Sequence, residues 1–394
     1  MSYDFTKTID RRGTYCTQWD FTQDRFGRAG VLPFSISDTD FEAPAEVVER
    51  LVAVVQKGQF GYSRWNHSDF KLPIAGWFER RYGVGVRPAW IAYSPSVMYS
   101  ASVYVRLVTP KGGRVLALSP MYDSFPGCIE GNGRELVASR LIETPGGAHS
   151  YEIDWEDLAA KAPGCQALLL CNPHNPCGRL WTSSELTQLM ELAARHGLHV
   201  ISDEIHADIV RPGLAFHSAL EYLDVWPHIS VVSSSSKTFN TAALGGSYII
   251  EPESSLYEAF LQRTRHADYL NSPAICGMYA TMEAYTSCDY YADGLAALTA
   301  SNMDRLAGFL SERWPQVTMR PAEATYLAWM NVTGLGVSDS ALQDALVHVG
   351  GVGIMRGDTY GAGGEGHLRM CIGCPPSKLE LGLAAMDRAF ASLA

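Results

Sequence analysis

I-S-V-V-S-S-S-S-K-T-F-N, residues 229–240, poses the question on which the fold turns. Ile229 to Val232 reads as a buried strand, and four hydroxyls and a lysine follow it. Lysine is costly to bury. A lysine at the end of a core strand therefore marks either a solvated turn or a place where an anion is held. The rest of the chain decides between the two.

Other short apolar runs, at Arg114 to Leu118, Ala167 to Cys171, His199 to Ser202 and Ser247 to Ile250, have the character of buried parallel strands. Helical stretches lie between them. One runs from Val97 towards Val108; another opens at Ser183-Ser184-Glu185, reaches about Arg195 and stops at Gly197. Alternating strands and helices predict an α/β unit with a mostly parallel sheet. After about residue 275 the pattern changes. Long helices are expected over 275–309, strands at 326–331, 352–355 and 367–372, and a last helix from Ser377, which together predict a smaller α+β unit. The first 45 residues show few clear elements.

Bulk properties narrow the function. At 394 residues the chain is long for one core, and two domains are expected. We place a large domain at 46–280 and a small one at 281–394 together with 1–45. The net charge of −11 argues against a nucleic-acid surface, which needs a surplus of Lys and Arg. No apolar leader and no bilayer-length run is visible, so no membrane association is expected and a cytoplasmic location is. Nine cysteines, an odd number set mostly in apolar runs, read as reduced and buried.

In an open α/β sheet, ligands gather beyond the carboxyl ends of the strands. The residues that follow each strand here are Ser119-Pro120-Met121-Tyr122, Asn172 to Arg179 (N-P-H-N-P-C-G-R), Asp203-Glu204-Ile205-His206, and the serines with Lys237. One rim thus offers an amine, a carboxylate, an amide, an imidazole, an aromatic face and hydroxyls. No one of these is specific; together they suit a flat, anionic, nitrogen-containing ring that carries a phosphate.

At this point the chain resembles the fold-type I pyridoxal-phosphate (PLP) enzymes of the aspartate aminotransferase superfamily. The markers are N-P-H-N-P-C-G-R (172–179), S-D-E-I-H (202–206) and S-S-S-K-T-F-N (234–240), in an order and spacing that fit over nearly the whole chain. More closely it is similar to the MalY/PatB group of cystathionine β-lyases, or C–S lyases. That likeness rests on R-G-T-Y-C-T-Q-W-D (12–20), L-P-F-S-I-S-D-T-D-F (32–41), F-G-Y-S-R-W (60–65), A-T-Y-L-A-W (324–329) and G-D-T-Y-G (357–361). The resemblance implies a PLP-dependent transferase-like large domain with a mostly parallel seven-stranded sheet.

It also implies roles. Lys237 would carry PLP covalently and shuttle the substrate proton. Asp203 would pair with the pyridinium nitrogen and keep it protonated. His206 would lie near the ring hydroxyl, Asn175 would donate to the ring oxygen, and Tyr122 would stack on the ring face. Ser96, Val97 and Met98 at a helix start would cradle the phosphate, with Ser234 and Ser236 facing it and Tyr62 reaching it from a partner subunit. Arg369 would grip the substrate α-carboxylate with a bidentate fork. Eight residues after the lysine many aminotransferases carry an arginine; here Gly245 stands there, as in the C–S lyase group. The implied reaction is β-elimination on L-cystathionine or another L-cysteine S-conjugate by a homodimer with shared active sites. Transamination uses the same cofactor geometry and is the alternative. A further role implied by the group is regulatory binding to a transcription activator.

Two motifs mislead. G-A-G-G-E-G at 361–366 satisfies G-x-G-x-x-G but opens no helix, and reads as a mobile loop leading to Arg369. Cys371-Ile372-Gly373-Cys374 lacks the second ligand pair of a zinc site and reads as buried thiols.

Overall fold

The computed structural model describes residues 2–144 and 148–393. Its centre is a seven-stranded sheet: β1 Ile91–Ser94, β2 Arg114–Ser119, β3 Glu135–Arg140, β4 Ala167–Cys171, β5 His199–Asp203, β6 Ile229–Ser234 and β7 Ser247–Ile250. Across the sheet the order is β1-β7-β6-β5-β4-β2-β3, and β7 alone runs antiparallel to its neighbours. β1, β2, β4, β5, β6 and β7 are buried over nearly their whole length, which is why all of these but β1 read as continuous apolar runs without alternation. β1 and β3 escaped the sequence reading; β3 lies at the sheet edge and has exposed ends.

Local chemistry sets the helix ends. Helix α1, Val97–Val108, starts at Ser96, whose hydroxyl accepts from the Tyr99 amide. Helix α2, Ser183–His196, opens with a capping box between Thr182 and Glu185 and ends at Gly197 with φ 67°. The cap is Thr182, one residue before the predicted serine pair. The long helical region divides at Cys288 into α3, Ile275–Ser287, and α4, Asp289–Arg313.

A second sheet joins β8 Leu327–Asn331, β9 Met355–Arg356 and β10 His367–Cys371 in the antiparallel order β8-β10-β9. The strand predicted at 352–355 is two pieces. Val352–Gly353 pairs in parallel with Leu32–Pro33 near the N-terminus, whereas β9 pairs with β10. The last helix, α5, covers Pro376–Ala391. A large core surrounds the seven-stranded sheet, and a separate core of Phe34, Leu306, Met330, Leu346, Leu368, Met386 and their neighbours lies under the second sheet.

The stretch after Leu32–Pro33 becomes a strap. The Cys371 amide donates to the Phe34 carbonyl and the Asp40 amide to the Gly373 carbonyl, both 2.8–2.9 Å. A buried pair, Lys378 with Asp40 at 2.5 Å, fastens it, with the Lys378 ammonium 4.7 Å from the Trp19 ring and 4.5 Å from that of Phe34. The glycine segment 361–366, expected to be mobile, is pinned instead. Ser119 Oγ donates to the Ala362 carbonyl at 2.7 Å, and a Cβ on Gly364 would lie 2.0 Å from the Gly357 carbonyl oxygen.

Candidate active site

The parallel strands β2, β4, β5 and β6 end at one rim, and the register aligns their last residues: Cys171 lies opposite Asp203, and Asp203 opposite Val232. Because all four strands point the same way, the residues after each converge. Val97, Met98, Tyr122, Asn175, Asp203, His206 and Lys237 line one cavity of about 50 Å³, together with Ser37, Cys171 and Ile205.

Lys237 sits in a one-turn helix, Ser236–Phe239, straight after β6. Asp208, buried, holds that turn by accepting from Thr238 Oγ1 at 2.8 Å, and also from Trp77 Nε1 at 2.8 Å and the Tyr82 hydroxyl. The Lys237 ammonium is buried and donates to the Ser37 carbonyl at 2.5 Å. Burial pushes its pKa below the ordinary lysine value, and the Asp38 carboxylate opposes that. Four hydroxyls and a lysine are thus no solvated turn.

Asp203 is also buried. Its carboxylate accepts from the Ile205 amide at 3.2 Å. Desolvation raises its pKa to about 7, against the Ile205 hydrogen bond and the Lys237 charge. His206 makes a T-shaped contact with Tyr326 at 5.9 Å, its Nδ1 has no hydrogen-bond partner, and burial followed by the Lys237 and Arg369 charges lowers its pKa to about 3. It is a neutral imidazole, not the carbonyl-bonded core histidine that is the usual reading of a buried His.

Arg369, on β10, donates from Nη1 to Asn175 Oδ1 at 3.0 Å and from Nη2 to the Ser35 carbonyl at 2.8 Å. Its guanidinium carbon lies 4.5 Å from the Tyr360 ring centre, and its Nε has no partner. Tyr360 is tied in turn to the rim, since its carbonyl accepts from the Met121 amide at 2.9 Å. The neighbouring Tyr122 is mostly buried, and burial raises its pKa. The 172–179 loop is held by Arg179, fully buried, which pairs with Glu185 at 2.6 Å and Glu323 at 2.9 Å.

Five predicted residues stand apart from the cavity wall: Arg369, Ser96, Ser234, Ser236 and Tyr62. Ser234 Oγ donates to the Gly246 carbonyl at 3.4 Å and accepts from the Ser236 amide at 3.2 Å, so these two serines shape the turn before Lys237. Tyr62 is wholly exposed at 101%. Ser96 contributes its cap, and helix geometry leaves the amides of Val97 and Met98 without intrahelical acceptors at the cavity. At Gly245 an arginine would be strained: φ is 72°, and a Cβ would come within 3.1 Å of that of Ala274.

Sequence reasoning missed the strap. Ser35 and Ser37 supply the carbonyls that hold Arg369 and Lys237, and Asp38 supplies the strongest charge opposing the desolvation of Lys237. The only signal was the string at 32–41, which has no periodicity to mark it as part of a site.

The residues fit the group implied by the resemblance. An amine and a buried carboxyl without an ion-pair partner among the described residues share the cavity, and His206 Nδ1 and Arg369 Nε are buried polar atoms with no hydrogen-bond partner among those residues. The free amides of Val97 and Met98 suit a phosphate.

The chain is 38% identical over 390 residues to Protein MalY of Escherichia coli (strain K12), covering 98% of each. It is 36% identical over 391 residues to Cystathionine beta-lyase PatB of Bacillus subtilis (strain 168), covering 98% of this chain and 99% of that one. The crystal structure of cystalysin from Treponema denticola, described as containing a pyridoxal 5'-phosphate cofactor, superposes with a TM-score of 0.94 at 27% identity over 100% of both chains. Residues 29–386 match aminotransferase class I and II, and with this fold and this rim the chain belongs to that family.

Proposed function

We propose that the protein is a PLP-dependent carbon–sulfur lyase that cleaves L-cystathionine or another L-cysteine S-conjugate by β-elimination. The observation that carries the reading is the meeting of Lys237 and Asp203 in one cavity, with Arg369 hydrogen-bonded to Asn175 of its wall, in a chain related over its full length to a cystathionine β-lyase. Bound PLP supplies an electron sink for the substrate α-carbon.

The chain's own residues do the rest. Lys237 holds the cofactor in the resting enzyme; its lowered pKa favours the neutral amine, which accepts the α-proton. Asp203 presents its carboxylate to the ring nitrogen, Asn175 and His206 serve the ring oxygen, and Tyr122 covers a ring face. The amides of Val97 and Met98, with Ser96, Ser234 and Ser236 behind them, form the phosphate side. Arg369 takes the α-carboxylate, turned towards it by Tyr360 and Asn175. The C–H bond at the α-carbon and the C–S bond at the β-carbon break, a C=C bond forms, and the thiolate leaves and is protonated. Water then converts the released enamine to pyruvate and ammonia.

Full exposure of Tyr62 supports a homodimer in which this side chain completes the partner's site. A large domain over 46–280 and a small domain of 1–45 with 281–394 supply the two walls. A cytoplasmic setting suits the free cysteines, and no helix of the described residues is long and apolar enough to cross a membrane. The idea of a transcription-activator partner rests on resemblance alone.

The test is incubation with L-cystathionine in the absence of any keto acid. Pyruvate and free thiol in equal amounts, abolished in Lys237→Ala, are expected. Turnover that requires 2-oxoglutarate and yields glutamate without pyruvate would make the protein a transaminase.

A further inference from the structure

We propose that Asp38 is a positioning residue for the elimination: acting through Lys237, its carboxylate favours the ammonium that forms when that side chain takes the substrate α-proton. This rests on the PLP reading above and deepens it by naming what answers the charge on the base.

The tip of the amine meets the strap. Lys237 Nζ donates to the Ser37 carbonyl at 2.5 Å. A three-residue turn brackets Ser37, with the Asp38 amide donating to the Ile36 carbonyl at 2.8 Å. Three distant segments fasten that turn. The Ile36 amide donates to Gln18 Oε1 at 3.1 Å, and Cys371 Sγ donates to the Asp38 carbonyl at 3.1 Å. Arg11 donates to the Thr39 carbonyl at 2.8 Å and to Asp38 Oδ2 at 2.7 Å, and reaches Asp40 at 3.4 Å. The guanidinium thus spreads its charge over three acceptors while it anchors the Asp38 carboxylate. A half-buried carboxylate is locked one residue from the carbonyl that holds the amine.

The site has use for that charge. A buried ammonium without an acid is costly. Burial acts most strongly against it here and Asp38 opposes this; the like charge of Arg369, then Cys371 and Asp203, follow. His206 is neutral, and the Tyr326 hydroxyl donates to the Lys237 carbonyl at 3.5 Å rather than to its amine. In the elimination reading Asp203 serves the ring nitrogen and Arg369 the substrate carboxylate, which leaves Asp38 to answer the ammonium. Because the acceptor at Nζ is a carbonyl and not the carboxylate itself, the neutral amine keeps its lone pair for the α-proton.

The test strips PLP from the full-length protein and follows by absorbance how fast it is recaptured across pH. Only the neutral amine attacks the PLP aldehyde, so the midpoint of the rate profile reports Lys237 without turnover. Asp38→Asn, and Asp38→Ser as a second variant, are expected to move the midpoint to lower pH, with recapture about threefold or more faster below the wild-type midpoint and equal above it. Arg11→Gln keeps the carboxylate and is expected not to lower the midpoint. In the holoenzyme Asp38→Asn should lower kcat for L-cystathionine with KM unchanged and enlarge the isotope effect of α-deuterated substrate; Asp38→Glu should restore both in part. An unmoved midpoint in both Asp38 variants overturns the proposal, as does an equal fall in Arg11→Gln, since the strap would then act by its shape alone. Failure of the wild type to take up PLP at any pH would remove the cofactor reading, and this proposal with it.

Discussion

Asp203 carries a charge that the fold by itself does not favour, and replacing it with asparagine separates what stability wants from what the chemistry wants. The carboxyl is fully buried at the end of β5, with one backbone amide at 3.2 Å as its hydrogen-bond donor. Its pKa rises from 3.8 to about 7 through desolvation. Between those values the folded chain binds a proton that the unfolded chain has released, so stability falls as pH rises through this window and is level above it. At roughly a kcal/mol or somewhat more per pH unit, the cost reaches about 4 kcal/mol at pH 8 and about 1–2 kcal/mol at pH 5. Burying the asparagine amide takes back about 1–2 kcal/mol. Cofactor-free Asp203→Asn is therefore expected to exceed the wild type by about 2–3 kcal/mol at pH 8 and to match it near pH 5 in urea unfolding. Retention of PLP should move the other way, since the amide cannot hold a proton at the ring nitrogen; dialysis followed by absorbance reads this. An advantage that stays constant from pH 5 to pH 8, or none at pH 8, would refute the reasoning.

Three other substitutions probe the supports of the site. Lys378→Met leaves Asp40 buried with only Trp19 Nε1 at 2.7 Å and Arg11 at 3.4 Å, and should cost about 3–5 kcal/mol in urea unfolding; the added change Asp40→Asn should recover much of that loss. Tyr360→Leu removes the ring beneath Arg369 and, at about 1–2 kcal/mol for a desolvated cation–π contact, should raise KM roughly fivefold to thirtyfold with a smaller change in kcat; equal falls in kcat and kcat/KM would contradict that role. Gly277→Ala places a Cβ 2.2 Å from the Gly245 carbonyl oxygen, and the forced shift should lower stability by about 1–3 kcal/mol or more, visible as a lower melting temperature.

Much of this molecule was written in short-range pattern. Five strands of the main sheet, the full extent of α1 and the stop of α2 at Gly197 followed from apolar runs and end signals, because burial on both faces and helix capping act over a few residues. The segments that hold Lys237, Asp203, Asn175 and Tyr122 could be placed together because parallel strands must deliver whatever follows them to one rim; the family resemblance then singled out those residues. Where two strands were missed, β1 and β3, the runs were short or partly exposed and carried little signal.

What only the tertiary structure decided is how distant segments complete that rim. Ser35 and Ser37 hold Arg369 and Lys237 through backbone carbonyls, which every residue possesses and no sequence pattern advertises. Tyr360 lies under Arg369 and Arg179 beside Glu323 because loops far apart in the chain fold onto one another. Periodicity and spacing record what a residue's neighbours in the chain require of it; electrostatics and desolvation depend on neighbours in space, and those exist only once the chain has closed.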